Sequence, residues 1–187
     1  MACLLANGRA ESCKDIVGGL KNIYFINYGI TASMITYDGT DTDMITTVDG
    51  IVGGSLYKFE LKGSNSFEQT INSSRENGTT FYEQVLSIQL KKQDAATAKI
   101  VKLLAYGRPH IIVESNAGQY FLAGLENGCD VTAGNIANGT GLGDFNGYGL
   151  TFTAQEKINA NFIDVTTQAL LATAFATSAV DATIVTS

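Results

Sequence analysis

Apolar and polar positions alternate most cleanly over residues 79–92 (TTFYEQVLSIQLKK). Tyr82, Leu86, Ile88 and Leu90 fall on one face there, and Glu83, Ser87, Gln89 and Lys91 on the other. A period of two predicts a β-strand with one buried face. SLYKFELK behaves the same way, with Tyr57, Phe59 and Leu61 opposite Lys58, Glu60 and Lys62. Residues 22–28 (NIYFINY) are apolar on both sides, which predicts a central strand or one covered by a neighbouring subunit. Residues 110–123 predict a hairpin turning at Ser115-Asn116-Ala117-Gly118. Tyr148, Leu150 and Phe152 predict another strand with those side chains inward, and residues 161–165 a short one more.

The period switches over residues 94–106. Ala96, Ile100, Leu103 and Leu104 share a helical face, Asp94 is placed to cap the N-terminus, and Gly107 and Pro109 stop the helix. One short helix in a β-rich chain cannot make a layer, so it is expected to plug an open face or end. The fold class expected is mainly β with one helix (α+β), a β-sandwich or barrel forming a single domain over residues 1–187. Residues 1–21 read as an N-terminal arm, 22–165 as the β core and 166–187 as a C-terminal arm. Within that last arm, Ala-Leu-Leu-Ala suits a short helix and residues 182–186 a strand added to a sheet edge. Between the two alternating strands, residues 64–77 read as a polar loop closing in Asn77-Gly78. Connections of that length are commonly functional, so a contact loop is expected. Residues 127–147 read as successive turns at Asn127-Gly128, Asn138-Gly139 and Asn146-Gly147.

Composition adds one constraint. Only 16% of the 187 residues are charged, against about 25% in an ordinary domain, so a surface covered by partners or by other copies is expected. Twenty glycines and one proline suit many turns. A net charge of −6, with no Lys/Arg cluster beyond Lys91-Lys92, argues against a protein that grips nucleic-acid phosphates. Three scattered cysteines (Cys3, Cys13, Cys129) form no disulfide framework and favour a reduced, cytoplasmic origin. No signal-peptide core and no apolar run of membrane-spanning length is read, so no membrane partner is expected.

Candidate chemistry is thin. The acidic run Asp38, Asp41, Asp43 lacks the later glycine and terminal glutamate of a calcium loop and reads as a solvated turn. Gly139-Thr140-Gly141-Leu142-Gly143-Asp144 suggests a phosphate loop, but a strand rather than a helix follows, and Asp144 is placed to close the turn on its own backbone. His110 reads as a strand-end histidine and not as a catalytic one. Glu60 and Glu83, if opposed across a hairpin, read as members of a charge ladder rather than as paired acids. No catalytic residue, metal site or cofactor is assigned.

The order of elements resembles a known family. Two alternating strands joined by a polar segment are followed by one helix, the hairpin at residues 110–123, and a stretch running from YFLAGLENG to GLGDFNGYGLTFTAQEK. This resembles the tail-tube (major tail) proteins of tailed bacteriophages and the tube subunits of contractile injection systems, over roughly residues 22–165. The N-terminal arm with Cys3 and Cys13 departs from the pattern and takes no role from it. The resemblance implies a β-sandwich or barrel with a flanking helix, no enzymatic activity, and assembly with itself into stacked hexameric rings. It places the protein in the virion tail after synthesis in the host cytoplasm, with sheath, tape-measure or terminator proteins as further partners. Genomic DNA would pass without specific binding. Lys58, Glu60, Lys62, Glu83, Ser87 and Gln89 become candidates for the lumen wall. Ser64, Phe67, Glu68, Asn72, Arg75 and Asn77 become candidates for an inter-ring loop. The alternatives are another virion component (head–tail connector, tail terminator or capsid decoration protein) and, in a different class, a small-ligand-binding β-barrel, with an enzyme as a third reading.

Overall fold

The structure, a computed structural model, describes residues 8–11, 13–176 and 180–186. Cys3, and with it the start of the N-terminal arm, lies outside the described residues. The strands form two sheets. The larger runs in the order β12 (Thr183–Val185), β4 (Ser55–Glu60), β1 (Leu20–Ile26), β7 (His110–Ser115), β8 (Tyr120–Ala123), β11 (Asn161–Ile163), β3 (Met44–Val48), β2 (Ile35–Tyr37). Its β12–β4 and β11–β3 pairs are parallel and the rest antiparallel. The smaller sheet is antiparallel throughout, in the order β5 (Ser66–Ser74), β6 (Thr79–Lys91), β10 (Gly147–Glu156), β9 (Asp130–Ala137).

The large sheet is buried on both faces, which is why β1 is apolar on both sides. Ile23 and Phe25 point toward the small sheet and pack, with Ile111 and Val113, against Leu86, Ile88, Leu150 and Phe152. The Phe25 ring lies 5.3 Å from that of Phe152 and meets Phe59 edge-on at 5.1 Å. Tyr24 and Ile26 point the other way, into a second core with Leu56, Ile112, Leu122, Ile45 and Val48. That second core is closed by helix α2 (Gln168–Ala174) and by Phe175, which is fully buried. Thr167 caps α2, its hydroxyl accepting the Leu170 amide at 3.3 Å.

Several expectations change here. The C-terminal stretch read as an arm is core: α2 fills the second face of the large sheet, and β12 extends β4 within the same chain. Among the described residues the fold therefore has two α-helices. Helix α1 (Ala95–Tyr106) begins and ends as predicted, with the Asp94 carboxylate accepting the Thr97 amide at 2.7 Å and Gly107 at the C-cap. Its inward face differs, however. Val101 is the buried residue, flanked by the half-buried Thr97, Ile100 and Leu104, whereas Ala96 and Leu103 are exposed. The two alternating strands of the sequence are not partners, because β4 lies in the large sheet and β6 in the small one. The stretch between them is mostly no loop. Residues 66–74 are strand β5, paired with β6 from Ser66↔Ser87 to Ser74↔Thr79. Residues 130–137, read as turns, are strand β9.

Because α2 and Phe175 are core and not an arm, truncation there should unfold the domain. Phe175→Ala is expected to cost about 3–5 kcal/mol, while Leu103→Ala on the exposed side of α1 should stay within about 0.5 kcal/mol. Denaturant unfolding of both variants at one fixed protein concentration checks this.

Candidate assembly surface

With its inner face committed to the core, the small sheet must turn its other face outward. Strand alternation and register identify that face. Ser66, Glu68 and Thr70 of β5 stand beside Ser87, Val85 and Glu83 of β6. On β6 and β10, Ser87 and Gln89 stand beside Thr151 and Gly149, which in turn face Ala133 and Asn135 of β9. Thr132 and Thr153 share a hydroxyl hydrogen bond of 2.8 Å across the β9–β10 pair. The surface is thus mostly Ser, Thr, Gln and Asn around Val85, Ala133 and Gly149, with the acids Glu68, Glu83 and Asp130, and its lysine, Lys91, stands at one end.

The two edges of this sheet are unusual. Strands β5 and β9 each pair on one side only, and they are 9 and 8 residues long. Edge strands are normally kept short or carry lysine or proline to prevent pairing with another chain. Here β5 carries Glu68 as its charged residue, β9 carries Asp130, and neither has lysine or proline. The edges of the large sheet, β2 and β12, are by contrast three residues each. Beyond Tyr82, where β10 ends its pairing, β5 and β6 continue as a two-stranded ribbon to the turn at Arg75–Gly78. Ile71 and Phe81 are exposed on that ribbon.

The lumen candidates divide accordingly. Glu83, Ser87 and Gln89 lie together on the outer face of the small sheet. Lys58, Glu60 and Lys62 do not join them, since β4 belongs to the other sheet. The Lys58 side chain is largely buried on the α2 side, where its ammonium donates to Gln168 at 3.1 Å and sits 3.7 Å from Glu60. Glu60 and Glu83 therefore do not oppose each other. Of the loop candidates, Phe67, Glu68 and Asn72 are strand residues, Ser64 precedes β5, and Arg75 and Asn77 occupy the exposed hairpin turn. Phe67 points inward, 6.2 Å from the Phe121 ring.

Most of the other polar groups described are occupied within the fold, the buried Asn161 Oδ1 being left without a hydrogen-bond partner. The Asp38 carboxylate accepts the amides of Thr40 and Asp41, and Asp144 accepts those of Thr140 and Gly141; in each case these bonds hold the acid below the usual carboxylate range. Glu114 is buried with Asn22, Tyr24 and Lys21 donating to it at 2.7, 2.9 and 3.0 Å. Burial works to raise its pKa, but those donors outweigh it and hold the group ionised. Among the described residues no group of three or more His, Cys, Asp and Glu side chains gathers to hold a metal ion. No described helix is long and apolar enough to cross a membrane.

His110 holds the crossing between the sheets. Its Nε2 accepts the amides of Gly29 and Ile30 at 3.1 Å each, and Nδ1 donates to the Gly124 carbonyl. Gln84 of the small sheet accepts the Gly124 amide at 3.0 Å, and Glu156 accepts the amides of Glu126 and Asn127. A side chain at Gly124 would strike Cys129 Sγ and the Gly128 backbone, and Gly124 has a φ of +67°. This turn, which carries the chain from β8 toward β9, is fixed from three sides.

Comparison with protein-family models, curated proteins and solved structures returns no match. The surface must be read from its own chemistry.

Burial holds the pKa of His110 below its ordinary value, the Gly124 bond opposing this in part. The unfolded chain therefore binds the proton more readily than the native one. Stability is fully present above the unfolded pKa of about 6.5 and declines as pH falls below it. Glu156, whose pKa burial raises, acts in the opposite sense above its ordinary range. Unfolding midpoints measured from pH 8 to pH 5 should fall toward acid, and His110→Asn should flatten that slope whatever it does to the absolute stability.

Proposed function

We propose that the protein is a structural subunit that polymerises with itself, and that its role is that of a phage tail tube. The small sheet of each copy joins the next, β5 against β9, into a closed barrel around a lumen. The observation that carries this reading is the pair of long edges without lysine or proline, each with a single acid, on a sheet whose exposed face is mostly polar. Joining copies removes both edges at once, which no arrangement of a single chain of this topology does. Six copies would give a barrel of 24 strands, from four strands in each copy.

The lumen wall is then formed by Glu68, Thr70, Glu83, Ser87, Gln89, Thr151, Thr153 and Asn135. Hydroxyl and amide groups with a few carboxylates, and a lysine only at one end (Lys91), give a passing polyanion little cationic surface to release counterions against, so DNA slides without being held. The β5–β6 ribbon, with Arg75 and Asn77 at its tip, is the part of the sheet that reaches furthest toward a neighbouring ring. The resemblance of the element order to tail-tube proteins supports the same assignment. Sheath, tape-measure and terminator proteins are the partners that assignment brings with it.

Negative-stain electron microscopy of the purified chain tests this. Rings that stack into hollow tubes are expected. Single rings that never stack would point instead to a terminator or connector, and a monomer at every concentration would overturn the reading.

A further inference from the structure

The N-terminal arm and an apolar groove occupy opposite ends of the same strand. Residues 13–19 precede β1 without regular structure and are exposed throughout. Among them Ile16 and Val17 are 69% and 63% exposed and belong to neither core. Among the described residues the arm is tied to the domain at its root, where Asn116 donates from its side chain to the Gly18 carbonyl and from its backbone to that of Gly19. Two adjacent aliphatic side chains are thus carried away from the domain on a fixed base.

The groove, of ≈ 490 Å³, lies between α1 and the far end of β1. Phe25, Tyr57 and Phe59 form its floor, Leu103 and Leu104 one wall, and Val185 of β12 the other. Leu103, Tyr57 and Val185 are all exposed in the free chain. Arg108 stands at its mouth with the guanidinium over the Tyr28 ring, 4.7 Å from its centre.

Reach decides what fills it. From Leu20 to Ile26, β1 spans about 20 Å at about 3.3 Å per residue. Val17 is two residues from the anchored Gly19 and extends at most about 7 Å from it. A chain cannot bring Ile16 and Val17 to the part of its own groove between Tyr57 and Leu103. Another copy can. Asp15, next to the aliphatic pair, also supplies the charge that Arg108 lacks a carboxylate partner for among the described salt bridges.

We infer that the groove beside α1 receives the Asp15-Ile16-Val17 segment of a second copy of this chain. The contact is head-to-tail, so it propagates and does not close on a pair. It is distinct from the β5–β9 junction, and it deepens the proposed self-assembly and rests on it.

The test places the photo-cross-linker p-benzoylphenylalanine at Val17 in the full chain. Light protein carrying the cross-linker is co-assembled with heavy-nitrogen-labelled protein and irradiated, and the products are mapped by mass spectrometry. Cross-links from light chains to Tyr57, Leu103 or Val185 of heavy chains are expected. Leu103→Asp in the heavy chain should reduce them about tenfold or more. Assembled particles whose cross-links fall elsewhere, or within one chain, overturn the arm–groove contact and leave the β5–β9 reading standing. Native mass spectrometry showing a small apolar molecule in the groove of assembled particles overturns it too. Protein that stays monomeric throughout overturns both.

Discussion

The apolar contact between the two sheets governs everything else in this protein. Phe25, Ile111 and Val113 on one side and Leu86, Ile88, Leu150 and Phe152 on the other commit the inner face of the small sheet. Once that face is committed, the other must meet water or another copy, and its side chains are accordingly Ser, Thr, Gln and Glu. The same contact leaves β5 and β9 with one hydrogen-bonding side each. The sheet is ordered by the core beneath it, while its edges stay available.

The polar network around Gly124 has a second function in this arrangement. A flat apolar interface between sheets sets their separation but only weakly their orientation. Gln84, His110 and Glu156 each reach from a strand to the backbone of the β8–β9 turn, so that the sheets are tied as well as packed. Rigid presentation of two edges matters for a polymer, because an error in orientation accumulates from copy to copy. His110 is accordingly a structural residue, with both ring nitrogens engaged by backbone groups.

The sequence makes the inner parts of the fold legible and the outer parts not. β1, β6, β7 and β10 are read correctly because burial imposes a pattern on them, and α1 because Asp94 and Gly107 mark its ends. β5 is missed because an edge strand with one half-buried face need not be apolar. On that face only Phe67 and Ile71 are hydrophobic, Ile71 standing exposed on the ribbon, and Gln69 spends its carbonyl on the Ala160 amide. The Asn77-Gly78 turn just before β6 was the available signal for a hairpin. β9 is missed for a similar reason, since Thr-Ala-Gly-Asn has no period at all. Adjacency in sequence suggested that β4 and β6 face each other, and the insertion of β5 sends them to different sheets. Half of the lumen candidates thereby move away from the small sheet, Lys58 being covered beside α2 while Glu60 and Lys62 stay exposed. The C-terminal stretch, whose charged residue is Asp181, is anchored in its own domain through Leu171, Ala174, Phe175 and Ala182, a possibility that composition alone does not separate from burial by a neighbour.

The central claim is that copies join through the edges of the small sheet, and a cross-linking experiment reaches it most directly. Cysteines are introduced at Thr70 on β5 and Ala133 on β9, with Cys3→Ser and Cys13→Ser so that the introduced pair reacts alone, Cys129 being buried. Within one copy these positions are separated by three strand spacings, about 14 Å, and by a further offset of four residues along the strands, beyond the reach of a short bis-maleimide. A covalent ladder that climbs from dimer to a closed ring and then stops is the predicted result. Folded protein that remains a single-chain band at every concentration would contradict the account.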